Sequence, residues 1–96
     1  MDNKIGVILL TYNEEIHIKR CLDNLLLLTS NIYVVDSFSN DKTIETLGEY
    51  GIIFCQNEFL NHSNQLNFAI DSFPFETNYI LRMDCDEILS NELINE

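Results

Sequence analysis

The feature that most constrains the fold of this chain is a regular alternation between short apolar runs and segments with helical periodicity. Four largely apolar runs occur, at residues 5–10, 32–35, 52–55 and 79–83. Runs of this length, bounded by polar residues, predict buried strands covered on both faces, as in a parallel sheet. The alternation therefore predicts an α/β fold with a parallel sheet and right-handed crossovers.

The helices between the runs are predicted from apolar residues three and four positions apart. Asn13 is the expected cap of the first helix, with Glu14 and Glu15 in its first turn. The second helix covers residues 41–50 and stops at Gly51. The apolar stripes of the first and third helices comprise Ile18, Cys21, Leu22, Leu25 and Leu26, and Leu66, Ala69, Ile70 and Phe73.

This order of elements favours a Rossmann-like open sheet with strand order 3-2-1-4. The carboxyl ends of strands 1, 2 and 4 then meet at one crevice, which is where ligands bind in such sheets. Three polar clusters fall at these ends: Thr11-Tyr12-Asn13-Glu14, Asp36-Ser37 and Asp84-Cys85-Asp86. Their convergence is the main functional signal in the sequence.

Each cluster has a functional and a structural interpretation. The ring of Tyr12 could stack on a nucleotide base, or it could simply seal the end of its strand. Asp36 could accept a hydrogen bond from a base imide or a ribose hydroxyl, or it could brace residues 37–40 through an Asx-turn. The residues alone leave these alternatives open.

The third cluster suggests a divalent cation. Asp84 and Asp86 point the same way if the strand conformation continues, because successive side chains alternate. Two carboxylates are suitable ligands for a metal that neutralises a departing diphosphate. The structural alternative is a solvated acidic loop that includes Glu87, and Cys85 is expected to pack inside.

Length and charge narrow the classes of function. The 96 residues can form one domain over residues 1–96, with Ser90 expected to cap a last helix. A net charge of −11 argues against a nucleic-acid partner, because phosphate backbones are bound through Lys and Arg.

The three cysteines, Cys21, Cys55 and Cys85, lack metal-ligand spacing, so we expect reduced thiols. No apolar stretch approaches the roughly 20 residues of a transmembrane helix.

The three clusters also carry a family resemblance. Residues 7–14, 34–43 and 83–87, which hold them, resemble the family 2 glycosyltransferases in order and spacing. The resemblance covers nearly the whole chain. It is closest to the bacterial members that build lipopolysaccharide core and related surface glycans, whose metal motif reads Asp-Ala-Asp-Glu.

The resemblance implies the donor-binding half of a GT-A fold. Thr11 and Tyr12 would contact the base, Asp36 would pair with its imide edge, Asp84 would lie near the ribose, and Asp86 would ligate Mn2+ or Mg2+. The implied nucleotide-sugar contacts are Thr11, Tyr12, Asn13, Glu14, Asp36, Ser37, Asp84 and Cys85, and the implied metal ligands are Asp86 and Asp84.

The implied activity is hexosyl transfer from a nucleotide-diphosphate sugar, with UDP as the expected nucleotide, to a glycan or lipid-linked acceptor in polysaccharide biosynthesis. The metal-dependent reaction would invert the anomeric carbon, in the cytoplasm or at the inner membrane face. The sequence departs from the family pattern in two ways. Leu66 replaces the basic residue expected between Gln65 and Asn67. The expected general base lies beyond Glu96, so residues 1–96 alone are expected to be inactive in transfer.

Three other interpretations remain. A receiver-type signalling domain needs an acidic pair after strand 1, where this chain has Thr11-Tyr12. A haloacid-dehalogenase-type phosphatase places its Asp-x-Asp on the first strand. A truncated, non-catalytic nucleotide-sugar-binding or interaction module would keep the fold and tend to self-associate through exposed apolar surface.

Overall fold

The computed structural model describes residues 5–85 as a four-stranded parallel sheet with three helices. The elements in chain order are β1 (Ile5–Thr11), α1 (Ile18–Leu25), β2 (Ile32–Asp36), α2 (Thr43–Glu49), β3 (Ile53–Gln56), α3 (His62–Ser72) and β4 (Tyr79–Asp84). The strand order is β3-β2-β1-β4, and each pairing is parallel. The predicted fold class and strand order are confirmed, whereas the helix expected after Ser90 lies outside the described residues.

Two cores form on opposite faces of the sheet, because successive residues of a strand point to opposite sides. The larger core lies under α1 and α2 and includes Val7, Leu9, Ile18, Cys21, Leu22, Leu25, Ile32, Val34, Leu47 and Cys85. The smaller core lies under α3 and includes Ile8, Tyr33, Val35 and Ala69. The two central strands are therefore buried on both sides, as their continuous apolar runs predict.

The strand register aligns the polar ends of neighbouring strands. Thr11 stands beside Asp36 across the β1–β2 pairing. Leu10 stands beside Asp84 across the β1–β4 pairing, and Asp36 stands beside Gln56 across the β2–β3 pairing. This alignment brings side chains from four strand ends to one edge of the sheet.

The predicted start of the first helix is wrong. Helix α1 begins at Ile18, and the capping position is occupied by His17, whose side chain makes no capping hydrogen bond. Asn13, Glu14 and Glu15 all precede the helix, so no carboxylate stands in its first turn. Their polar groups bond instead to the loop after β2 and to Thr43 at the start of α2, which competes with helix formation.

The predicted burial of the fourth strand is also wrong. Tyr79, Ile80 and Leu81 are exposed. Within residues 5–85, β4 is an edge strand that pairs with β1 alone, and the helices cover the centre of the sheet. In α3, Ile70 is exposed although the stripe predicted it inside. No helix in this part of the chain is both long and apolar enough to cross a membrane.

Candidate functional site

A cleft of about 890 Å³ lies at the carboxyl ends of the strands. Its lining residues come from all four strand ends and the loops that follow: Leu10, Thr11, Tyr12, Glu14, His17, Ser37, Phe38, Glu58, Phe59, His62 and Asp84. The three polar clusters predicted to converge therefore all contribute to one concave surface. A volume of this size is in the range of small-molecule and cofactor sites.

The predicted contact residues divide into two groups. Thr11, Tyr12, Glu14, Ser37 and Asp84 line the cleft. Asn13, Asp36 and Cys85 are not among the lining residues, and Asp86 lies outside the described residues.

Asp36 is a fully buried carboxylate with four hydrogen-bond donors. The hydroxyl of Thr11 donates to its Oδ1 at 2.7 Å, and the amide of Gln56 donates to its Oδ2 at 3.2 Å. Ser39 donates twice, from its backbone N–H at 2.7 Å and from its hydroxyl at 2.5 Å. Asp36 thus joins β1, β2, β3 and the loop after β2. This is the loop brace that sequence reasoning gave as the structural alternative, and pairing with a base stays a prediction.

A second set of hydrogen bonds joins the loops after β1 and β2. The backbone N–H of Asn13 donates to the Ser39 hydroxyl at 2.7 Å, and the Asn13 side chain accepts from the backbone N–H of Asn40 at 2.9 Å. The backbone N–H of Glu14 donates to the hydroxyl of Thr43 at 2.9 Å. Asn13 adopts a positive φ of 51°, which Asn tolerates better than most residues. The role of Asn13 in these contacts is to connect the two loops.

Asp41 makes a further connection between the segments after β1 and β2. Its carboxylate accepts from the backbone N–H and the hydroxyl of Thr43 at 2.9 and 2.6 Å, and from the backbone N–H of Glu15 at 3.1 Å. Partial burial disfavours the charged form, but the bonds from Thr43 and Glu15 outweigh it and lower the Asp41 pKa. Together these contacts hold the segments after β1 and β2 against each other, and these segments carry Tyr12 and Phe38 of the cleft.

Asp84 ends β4 and faces the cleft. Its Oδ1 accepts from Nη1 of Arg82 at 3.1 Å, and the two side chains are 51% and 42% exposed. A carboxylate this accessible can exchange partners with water or a ligand at little cost, because exposed ion pairs contribute only about 0–1 kcal/mol. The position and exposure of Asp84 suit a ligand-binding group.

Cys85 points the other way, into the larger core beside Cys21. A hydrogen bond with Cys21, burial and the nearby carboxylates of Glu14 and Asp84 raise the pKa of the Cys85 thiol. The thiol is therefore a packed, protonated group, which agrees with the expectation that Cys85 packs inside. Its contact with α1 fixes the end of β4 against the body of the domain.

Sequence reasoning missed six residues of the cleft, namely Leu10, His17, Phe38, Glu58, Phe59 and His62. Three of them follow β3, which was not given a role in the site. The signal was available, because β3 runs parallel to β2 and its carboxyl end must reach the same edge. Phe59 and His62 pack edge to face, with ring centroids 5.2 Å apart.

The ionisable groups of the cleft are unevenly distributed. Glu14, Glu58 and Asp84 supply carboxylates, and both histidines of the chain, His17 and His62, also line it. No Lys or Arg occurs among the lining residues of the described chain. An anionic ligand in this cleft would therefore need an added cation or protonated imidazoles to balance its charge.

Gln65 supports the floor of the cleft from α3. Its fully buried side chain donates to the hydroxyl of Ser37 at 3.1 Å and to the carbonyl of Asn57 at 3.2 Å, and it accepts from the Asn57 amide at 2.9 Å. Leu66 packs against the smaller core. The Gln65 side chain thus tethers the loops after β2 and β3, and the Leu66 side chain contributes to packing.

Comparison with known proteins adds independent information. The sequence model described as glycosyl transferase family 2 matches residues 6–96. An uncharacterized glycosyltransferase of Rickettsia bellii (strain RML369-C) is 31% identical over 96 residues, which are 100% of this chain and 32% of that protein. An uncharacterized glycosyltransferase of Rickettsia typhi (strain ATCC VR-144 / Wilmington) is 31% identical over 93 residues, or 97% of this chain and 31% of that protein. The chain thus spans about a third of the length of these curated relatives.

A solved structure has the same fold. The mannosyltransferase PcManGT from Pyrobaculum calidifontis, in complex with GDP-Man and Mn2+, superposes with a TM-score of 0.75 at 24% identity, over 99% of this chain and 31% of that chain. The parallel sheet with flanking helices is therefore the Rossmann-like part of a GT-A fold.

Proposed function

Because the chain belongs to glycosyl transferase family 2, we propose that it forms the donor-binding part of an enzyme that transfers a sugar from a nucleotide-diphosphate sugar to a glycan or lipid-linked acceptor. The observation that carries this proposal is the cleft itself, where Tyr12 after β1, Ser37 after β2 and Asp84 at the end of β4 line one concave surface. The Mn2+ and GDP-Man in the mannosyltransferase structure support the same class of ligand.

The base end of the donor would lie near Tyr12. Its ring is 55% exposed and lines the cleft, so one face can receive a planar base. Thr11 is buried and its hydroxyl donates to Asp36, so its main role would be to position Asp36 at the site. To accept a hydrogen bond from the imide of a base, Asp36 would have to release one of its present hydrogen bonds. The longest of these, from the Gln56 amide at 3.2 Å, is the one we expect it to release. We take UDP as the first nucleotide to test and GDP as the second.

The carboxylate oxygens at the cleft are suitable ligands for a divalent cation. Asp84 presents a hard carboxylate oxygen in an acidic cleft without Lys or Arg among its described lining residues, and Asp86 would be the second ligand. A bound Mn2+ or Mg2+ would supply Lewis-acid stabilisation of the departing diphosphate. Glu14 and Glu58 would contribute to the negative field that attracts the cation.

We also propose an inverting transfer in surface polysaccharide synthesis, in the cytoplasm or at the inner membrane face, with a general base that none of residues 1–96 supplies. The second candidate is a non-catalytic interaction module, favoured by the exposed Tyr79, Ile80 and Leu81 of β4. Measurement of UDP release from UDP-sugars by the whole protein distinguishes the two, because an interaction module releases none.

Thermal unfolding tests the donor site directly. A ligand that binds only the native state, at a hundred times its Kd, stabilises it by about 2.7 kcal/mol. We therefore expect UDP with Mn2+ to raise the melting temperature of the whole protein, and UDP alone to raise it less. Asp86→Ala should remove the metal-dependent part, whereas Asp71→Asn, at an exposed position of α3, should retain it. Absence of any shift at saturating UDP or GDP would contradict the proposal.

A further inference from the structure

Phe38 has an unusual backbone conformation for its type. Its φ is 59°, in the left-handed region that strains residues with a large side chain and that glycine adopts readily. A strained non-glycine residue persists only where its surroundings fix it and tends to occur at functional sites. The reason for a phenylalanine at this position must therefore lie in its side chain.

The neighbours of Phe38 fix the strained conformation. On one side, the backbone N–H of Ser37 donates to the carbonyl of Thr11 at 2.9 Å, and the hydroxyl of Ser37 accepts from the buried Gln65. On the other side, Ser39 donates twice to the buried carboxylate of Asp36. Phe38 thus stands between two residues that are both anchored to the sheet or to α3. The backbone on both sides of Phe38 is thus fixed by hydrogen bonds of Ser37 and Ser39 and not by packing of the Phe38 side chain.

The Phe38 side chain makes little use of protein packing. It is 57% exposed and belongs to neither core. It lines the cleft, and within residues 5–85 no other aromatic ring contacts it, whereas Phe59 is paired with His62. Tyr12 lines the same cleft from the neighbouring loop. An accessible ring on a rigid, strained loop beside a ligand cleft is suited to stacking on a planar ligand.

We propose that Phe38 is a second stacking residue for the base of the nucleotide and sets the preference of the cleft for nucleotides over simple diphosphates. This inference rests on the proposed function, because it takes the ligand to be a nucleoside diphosphate. It goes further in assigning the base to contacts from both loops, with Tyr12 on the loop after β1 and Phe38 on the loop after β2. The strain at Phe38 is then the cost of presenting a ring at this point.

The test compares Phe38→Gly, Phe38→Leu and Phe38→Tyr in the whole protein by calorimetric titration in the presence of Mn2+. The ligands are UDP, GDP and inorganic pyrophosphate. Glycine and leucine should weaken nucleotide binding about fivefold or more and leave pyrophosphate binding unchanged, because stacking is lost and the phosphate contacts remain. Tyrosine should bind nucleotide within about twofold of the parent, because it keeps the ring. Phe38→Gly should also melt at or above the temperature of the parent, because the left-handed strain is relieved.

Two results would overturn the assignment. Equal weakening of nucleotide and pyrophosphate, together with a lower melting temperature, would show that Phe38 packs against another part of the protein. Unchanged nucleotide binding by the glycine variant would show that the ring does not contact the base. In both cases the parent still binds nucleotide, so the proposed function survives. If the parent binds neither UDP nor GDP, the donor-site proposal and the role of Phe38 fail together.

Discussion

Asp36 and Asp84 occupy equivalent places on two strands that flank β1, yet their environments are opposite. Asp36 is fully buried and accepts four hydrogen bonds from three parts of the fold. Asp84 is half exposed, faces the cleft and accepts from the exposed Arg82. A carboxylate at a strand end can therefore be used up in building the site, as at Asp36, or stay accessible, as at Asp84, which we propose binds the ligand. Which role it has depends on how many donors the fold has already directed at it.

The largest expected effect is the loss of the buried carboxylate. Asp36→Ala leaves four donors without their acceptor and should lower the free energy of unfolding by about 3–4 kcal/mol. Asp36→Asn should cost less, because the hydroxyls of Thr11 and Ser39 can rotate to accept from the new amide. Asp84→Ala should change stability by less than about 0.5 kcal/mol. Urea unfolding measures all three, and equal losses at Asp36 and Asp84 would abolish the distinction.

A smaller effect is expected from removing one donor to the buried carboxylate. Thr11→Val keeps the shape of the side chain but deletes the 2.7 Å bond to Asp36. The free energy of unfolding should fall by about 1.5–2.5 kcal/mol, since hydrogen bonds to charged groups are among the stronger ones. Urea unfolding again provides the measurement. A change within about 0.3 kcal/mol would mean that the Thr11–Asp36 bond does not hold β1 to β2.

The expected effect at Arg82 is small for stability and larger for binding. Arg82→Gln removes a positive charge beside Asp84 at an exposed site, so stability should change by less than about 0.5 kcal/mol. The affinity for Mn2+ should rise by about two- to fivefold, because a competing cation is gone. Titration of Mn2+ monitored by water proton relaxation measures the change. Weaker Mn2+ binding would show that Arg82 positions Asp84 for the metal.

The smallest effect concerns Asp41, whose environment is intermediate between those of the other two. Its folded pKa is below the ordinary value of 3.8. Its charged form therefore stabilises the fold above the unfolded pKa, and this contribution is lost as the pH falls below about 3.8 through the folded pKa. Between pH 5 and pH 3 the parent should lose slightly more stability than Asp41→Asn, as urea midpoints will show. A parallel pH dependence in the two proteins would contradict this.

Most of the fold could be predicted because the signals are local and the topology rules are strong. Continuous apolar runs identified β1 and β2, and parallel connectivity gave the strand order. The start of α1 could not be predicted, because Asn13 and Glu15 bond to a loop about 26 residues away in sequence. The exposure of β4 could not be predicted either, since a short apolar run has the same residue pattern in a central strand and in an edge strand.

The candidate site was predicted in part for the same reasons. Tyr12, Ser37 and Asp84 were correctly placed at the cleft, because strand ends fix them. The bonds from Ser39 to Asp36 belong to the Asx-turn that the sequence offered as one of two interpretations. The bond from Gln56 comes from another strand, and no local pattern reveals it. Phe38 was not predicted as a site residue, because its positive φ is a property of the folded loop that the sequence does not indicate.

Calorimetric titration of UDP into the whole protein, with and without Mn2+, tests the central comparison most directly when Asp84→Asn and Thr11→Val are measured beside the parent. The account predicts that Asp84→Asn keeps the stability of the parent but loses the enhancement of UDP binding by Mn2+. It predicts that Thr11→Val loses stability but keeps the ratio of affinities with and without Mn2+. A full Mn2+ enhancement in Asp84→Asn would contradict the account.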